Sequence, residues 1–252
     1  MSFKKVFERN DLYEVVNIPV LKHIVKNWTK YESLIIKNNE NNYDYNPKNI
    51  CEKYLTNYEK VATIKYNKSS KYPSKLGRWF CKNGVGLQSL PRVISHTICD
   101  ELYIDVDFVN CHPKILEQLC YKHDIQCVNL TQYIKNRDQL LDEWKLILNC
   151  TKEETKKNNL LALNGNKKQS DLPNWYSILD EFKKIHKSIV LLPEYKILLK
   201  EVEDVERTNI NAKVVNHRLC IIEDECLISL YHVLDKKMEM PLNISSQNLV
   251  NI

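Results

Sequence analysis

The sequence predicts a helix-rich, mixed α/β (α+β) chain, and three observations predict it. Apolar residues recur at helical spacing in LKHIVKNWTKYESLII and again in LPNWYSILDEFKKIHKSIV. Thr151 opens T-K-E-E, a capping box that puts Glu154 at the third helical position. Between these lies one apolar run, ELYIDVDF, with the length and composition of a strand.

In chain order, residues 1–36 hold one or two amphipathic helices, and KNNENNYDYNPKN is a polar loop or linker. A short helix and a turn lead to Pro73. From Lys75, KLGRWFCKNGVGLQSLPRVI is irregular backbone between two ordered elements. ELYIDVDF follows as a buried strand, and Pro113 suits the first turn of a helix HPKILEQLCYKH. Residues 131–149 have helical character. The capped helix from Thr151 runs to about Leu163 and stops at Asn164-Gly165. A loop around Pro173 precedes the second amphipathic helix, and residues 205–236 form a last ordered stretch before the tail PLNISSQNLVNI.

At 252 residues the chain is long enough for one large domain or two small ones, and 43% hydrophobic content supports a packed core. No apolar run approaches the roughly 18 residues that cross a bilayer, so no membrane partner is expected. MSFKKVFERNDLYEVV carries charge where an export signal needs its apolar stretch. An intracellular location (host cytoplasm, viral factory or nucleus), not secretion, is expected. The nine cysteines include no C-x-x-C pair and read as small apolar residues in a reducing compartment. A net charge of +5 suits a polyanionic partner without demanding one. Glycine is scarce: four, where average usage gives roughly 18. Gly77, Gly84, Gly86 and Gly165 are therefore expected where φ is positive or backbones approach closely.

On a strand, Asp105 and Asp107 share one face with Tyr103, while Ile104, Val106 and Phe108 point into an apolar layer. Two carboxylates held side by side raise each other's pKa unless a cation sits between them. Mg²⁺, which takes hard oxygen ligands and keeps its waters, is the natural guest. An isolated D-x-D is more readily a pair of surface aspartates. The continuation separates the readings: an acidic strand end, a tight turn, then a helix that begins at His-Pro.

D-F-V-N-C-H-P-K-I resembles motif A of the polymerase palm. There the strand-end aspartate binds both catalytic metals, and a bulky side chain five residues on lies under the sugar of the incoming nucleotide. The resemblance implies that Asp107 is a catalytic metal ligand, Asp105 an additional one and His112 the sugar gate. Family B polymerases share this spacing, but the flanks point to family A. Leu76-Gly77-Arg78 followed by Gly86-Leu87-Gln88-Ser89-Leu90-Pro91-Arg92 resembles the T-G-R and N-L-Q-N-I-P elements that contact primer-template. This implies nucleic-acid contacts at Arg78, Gln88 and Arg92, residues able to donate to phosphate or a groove edge.

Downstream, Lys152, Lys156, Leu160, Asn164 and Gly165 resemble the fingers helix R-x-x-x-K-x-x-x-F-x-x-x-Y-G. The resemblance implies nucleotide-binding roles for Lys152, Asn164 and Gly165 and a catalytic role for Lys156. Residues at this spacing share a helix face, where two lysines would neutralise a triphosphate and favour pyrophosphate departure. Taken alone, KEETKKNN is a solvated helix start. Lys152 stands where the family has arginine, Leu160 replaces the aromatic and Asn164 the tyrosine. The N-C-H-P form is closest to the divergent transposon-viral polymerases, often fused to a replicative helicase. This chain contains no G-x-x-x-x-G-K-[ST] loop.

The second palm carboxylate, motif C, has its best match in IIEDECLI, with Asp224 as the aspartate and Glu223 in place of histidine. Helical spacing of Val215, Leu219, Ile222, Cys226, Leu230 and Val233 favours a helix there instead. ERTNINAK then resembles the start of the helix that touches the template minor groove, which implies Asn211 as a nucleic-acid contact. On that reading motif C lies beyond Ile252 and the chain is a piece, incomplete at its C-terminus. Both placements remain open.

The expected function is a DNA-directed, template-dependent nucleotidyltransferase of a virus or mobile element. It would use two Mg²⁺ ions, a DNA primer-template and dNTPs, with a replicative helicase fused or associated. The expected segments are an N-terminal helical region (1–70, thumb-like or accessory) and a palm with motif A (71–120). Helical fingers (121–205) and a palm-associated helix with tail (206–252) follow. Two alternatives stand beside it: an archaeo-eukaryotic-type primase using Asp105-x-Asp107, and a non-catalytic palm relic that binds nucleic acid. His23, His123, His186, His217 and His232 lack partners at ligand spacing and read as surface or packing residues.

Overall fold

With so little glycine and few strand signals, the chain satisfies its backbone mainly within helices. The computed structural model describes residues 14–36, 46–60, 66–68, 70–82, 85–103, 106–165, 172 and 174–238. Gly84, Asp105, Pro173, the linker core at 37–45 and the tail from 239 lie outside them. The chain divides into two units: residues 1–69, 78–108 and 225–252 form the first, residues 70–77 and 109–224 the second. This division cuts across the segments read from sequence, because it places Asp107 in the first unit and His112 in the second.

In the first unit, α1 (Ile18–Lys26) begins where the Asn17 side chain accepts the Val20 N–H at 3.2 Å, with Pro19 in the opening turn. It packs on α3 (Pro47–Lys60) and α4 (Arg92–Cys99), and α2 (Trp28–Ile36) also packs on α4. Leu21, Ile35, Tyr54, Leu87, Ile94 and Ile98 are sealed in the core. Strands β1 (Tyr66–Lys68) and β2 (Trp79–Cys81) pair antiparallel, with Asn67 opposite Phe80.

Glu14 is buried with these apolar residues. Its carboxylate accepts the Leu87 N–H at 2.9 Å and the hydroxyls of Tyr54 and Tyr66 at 3.0 Å each. Burial and the neighbouring Glu14 charge push the Tyr54 hydroxyl well above its ordinary pKa, so it stays a donor. A Cβ on Gly86 would stand 2.9 Å from the Cys81 Cβ and 3.3 Å from Glu14 Oε1, so the loop passes only as glycine.

The strand expected over ELYIDVDF does not form among the described residues. Residues 101–102 are a turn, 106–108 have no regular structure, and β1–β2 is the one ladder described. An apolar stretch becomes a strand only when a neighbour takes up its N–H and C=O groups. Here Tyr103 instead turns its hydroxyl to the Val15 N–H at 2.7 Å.

In the second unit, α5 (Cys111–Lys122) starts after Asn110, whose φ of 57° turns the chain, and carries Pro113 in its first turn. The helical stretch expected at 131–149 consists of two helices, α6 (Val128–Lys135) and α7 (Arg137–Ile147), separated at Asn136. Glu181 accepts the N–H groups of Asn129 and Leu130 at 2.9 Å each, a carboxylate on the positive end of α6. Helix α8 (Lys152–Leu163) has the expected capping box between Thr151 and Glu154. Helices α9 (Trp175–Val190) and α10 (Lys196–Val205) follow, then α11 (Ile210–Met238), whose residues from 225 on belong to the first unit. Leu116, Leu130, Leu141, Ile185, Ile189, Val202 and Val214 are fully buried at the centre, and Tyr133 stacks on Trp144 at 6.1 Å.

Replacing Glu14 with glutamine substitutes a donor for an acceptor that faces three donors, at a cost of about 1–3 kcal/mol. Hydrogen exchange at the Leu87 amide should accelerate roughly ten- to a hundredfold, while the core amides of α9 keep their wild-type rates.

Candidate functional site

The residues singled out from the sequence gather in three places, two of them within the second unit. The first is where α8 ends against the start of α11. Asn164 closes α8, and Gly165 turns the chain with φ of +81°. A Cβ on Gly165 would lie 2.5 Å from the Ala212 Cβ, so backbone and helix meet with nothing between them. One helical turn further along α11, Asn216 Nδ2 donates to Asn164 Oδ1 at 2.7 Å. Gly165 and Asn211 thus become neighbours on the wall of a pocket of about 550 Å³, shared with Tyr176, Lys183, His186 and Arg207. Lys183 and Arg207, the carboxylate of Asp180 and the exposed amide of Asn211 give it a polar rim over an apolar floor.

His186 lies in the floor of that pocket, 4% exposed. Burial drives its pKa down to about 4, against the opposing pull of a hydrogen bond to the Leu163 carbonyl, so the ring is neutral. Its Nε2 has no hydrogen-bond partner among the described residues.

Segment 70–77 is fixed against α10 and α11 by glutamates. Glu206 accepts from Lys213, Lys71 and Tyr72, and these bonds hold its carboxyl down at about 2. Glu201 accepts the Ser74 N–H. Gly77, at φ +91°, passes beside the His217 ring, which meets Tyr72 edge-on at 4.7 Å.

The lysines of α8 are engaged unequally. Lys152 reaches both Asp138 and Asp142 at 3.4 Å, whereas Lys156 makes one ion pair with Glu153 at 2.6 Å. An exposed i,i+3 pair contributes less than about 1 kcal/mol, so Lys156 is the easier of the two to recruit to an incoming anion. Leu160 on the same face is exposed.

The second place surrounds His112. Its ring is buried and Nε2 lies 3.1 Å from Glu223 Oε2, with Cys220 beside it. Burial opposes the charged ring, but hydrogen bonds and charge from Cys220 and Glu223 outweigh it and hold the pKa up at about 9. Glu223 and Asp224 belong to the interior of α11, as the helical spacing favoured, and not to a hairpin. Cys220 was read as a plain apolar residue. Its i,i+3 spacing to Glu223 puts the two side chains on one face of α11; that His112 meets that face is a tertiary fact no local pattern carries.

The third place is the loop region of the first unit. Gln88 Oε1 accepts the Cys81 N–H and its Nε2 donates to the Trp79 carbonyl, both at 2.9 Å. The Gln88 amide is therefore spent on β2. Arg92 is exposed on α4 with Nε 3.4 Å from His96 Nε2, and Arg78 is half-buried at the start of β2. Asp107 is exposed, one residue before the unit ends. Asp105 lies outside the described residues. Among the described residues no helix is long and apolar enough to cross a membrane.

Two outcomes test this geometry. Gly165→Ala forces alanine into the left-handed region and against Ala212, and should cost about 1–3 kcal/mol in thermal or denaturant unfolding. Adding Ala212→Gly should recover the steric part only. For His186 the unfolded ring takes a proton near pH 6.5 and the folded ring near 4. Its contribution is fully present above pH 6.5 and is lost as pH falls toward 4, on the order of 3 kcal/mol. The difference between wild type and His186→Gln in unfolding midpoint across that window should follow this curve.

No family model matches the chain, and no solved structure matches it. The chain is similar to the putative helicase V13 of the Sputnik virophage, with 24% identity over 185 residues. That match takes in 69% of this chain but only 24% of the virophage protein, so the chain spans about a quarter of the relative's length.

Proposed function

We propose that this chain supplies the palm and fingers region of a family A-like, template-directed nucleotidyltransferase of a virus or mobile element. It acts on a DNA primer-template and dNTPs. The observation that carries the reading is the junction at Gly165. Residues resembling the fingers helix and residues resembling the template-contacting helix line one pocket, although 46 positions separate Gly165 from Asn211. The virophage relative supports it from another side, since polymerases of the resembled group are often joined to a helicase. Lacking a G-x-x-x-x-G-K-[ST] loop, the chain itself is not assigned helicase chemistry. A helicase is instead its fused or associated partner.

Asp107, with Asp105, would hold Mg²⁺. The exposed carboxylate of Asp107 suits a hydrated ion that keeps several of its waters. Bound there, the metal supplies Lewis acidity to the attacking and leaving oxygens. Lys156 releases Glu153 and neutralises the triphosphate, and Asn211, Arg207 and Lys183 hold the polynucleotide at the pocket rim. A second reading, a palm relic that binds nucleic acid without catalysis, is favoured by Asp224 lying within a helix.

Primer extension with Mg²⁺, by this chain and by a longer product continuing past Ile252, separates the readings. Extension supports the polymerase; duplex binding without extension supports the relic; primer-independent dinucleotide synthesis supports a primase. Asp107→Asn should abolish extension and leave primer-template binding nearly intact, and wild-type activity in that variant would sink the motif A assignment. Lys156→Ala should lower the extension rate or dNTP affinity on the order of a hundredfold. Lys157→Ala, on the solvent face, should change little; equal effects would show that the helix register is wrong.

A further inference from the structure

We infer that His112, Cys220 and Glu223 form a zinc site that ties α5 to α11 within the second unit. The three side chains are 7%, 4% and 2% exposed, and one ligand atom from each lies within 4.8 Å of the others. Zinc bonds of about 2.0–2.3 Å place tetrahedral ligand atoms roughly 3.3–3.8 Å apart. The trio lies near that spacing, with His112 Nε2 and Glu223 Oε2 at 3.1 Å and every pair within 4.8 Å, so side-chain shifts of up to about an ångström seat the ion. Cys220 and Glu223 are three apart on α11 and share a face. His112 arrives from the first turn of α5, held by the left-handed turn at Asn110.

Charge balance accommodates a divalent ion. Without metal the His112 imidazolium offsets the Glu223 carboxylate; in the ligating form a thiolate, a carboxylate and a neutral imidazole sum to two negative charges. Zn²⁺ cancels these to zero, displacing the protons of His112 and Cys220 as it binds. The donor set also selects the metal, because nitrogen and sulfur ligands suit zinc and not magnesium. The ion is therefore separate from the Mg²⁺ of the proposed chemistry.

Without metal, Cys220 Sγ–H donates to Asn216 Oδ1 at 3.7 Å, a weak bond that the thiolate gives up on binding the ion, while Asn216 stays fixed by its own bond to Asn164 at 2.7 Å. The proposed ion braces the helix whose first turns line the pocket at Gly165. Its role is structural, and it does not depend on whether the chain polymerises nucleotides.

The test is cobalt and zinc titration of the metal-stripped full chain. One equivalent of Co²⁺ should produce a thiolate-to-metal charge-transfer band in the near ultraviolet, and Zn²⁺ should displace it. Cys220→Ser should lose that band while Cys226→Ser, altered at an exposed cysteine of the same helix, keeps it. Zn²⁺, but not Mg²⁺, should raise the thermal midpoint of wild type. In Glu223→Gln, of nearly the same size, zinc affinity should fall at least tenfold. Absence of the band, its persistence in Cys220→Ser, or an equal zinc effect on wild type and Glu223→Gln each overturns the site. Should Cys220→Ser fail to fold, the Glu223→Gln comparison decides alone.

Discussion

The buried carboxylate of Glu14 receives hydrogen bonds from Tyr54, Tyr66 and the Leu87 amide, and the first unit is organised around that point. Four pieces converge there: the lead into α1, helix α3, strand β1 and the loop before α4. A carboxylate left unpaired in such a place costs several kcal/mol, so each of those pieces must stay in position for the charge to be tolerable. The second unit meets the same difficulty with the same residue type. Glu181 satisfies the amides at the start of α6, while Glu201 and Glu206 hold segment 70–77. At Ser74, Leu87, Asn129 and Leu130, backbone N–H groups outside the helical and β1–β2 ladders are taken up by glutamate.

That device explains which parts of the fold were legible in the sequence. Helix α8 was readable from Thr151 to Gly165 because its signals, a capping box and a terminal glycine, are local. The start of α5 at Pro113 and the long apolar spacing through Ile222 and Cys226 were local too. The break at Asn136 was not, since LTQYIKNRDQLLDEW contains neither glycine nor proline. The strand reading of ELYIDVDF failed for a related reason. Alternating apolar residues record two-sidedness, but they do not say whether a pairing partner is available.

The candidate site divides the same way. The residue types at Lys152, Lys156, Asn164 and Gly165 could be picked out by spacing along a single helix. Their relation to Asn211 and Asn216 is tertiary and became visible only through the close contact with Ala212. The Glu153 pair on Lys156 and the double pairing of Lys152 separate the two lysines by how firmly each is held. His112 changed most. The sequence placed it by analogy under a sugar, whereas its ring is buried against α11 in the company of a carboxylate and a thiol 111 and 108 positions away.

Helix α11 runs 29 residues without interruption, about 43 Å from end to end. Its first turn packs on Gly165, its second bonds Asn164, and its third and fourth present Cys220 and Glu223 to His112. The rise and twist of one helix therefore fix the relative phase of three otherwise separate contacts. Inserting a single residue between Ala212 and Cys220 would rotate one end by about 100° against the other, breaking at least one contact to keep the rest. Substitutions along this stretch can be accommodated one at a time, but length changes cannot, so its length should stay constant even where its composition drifts.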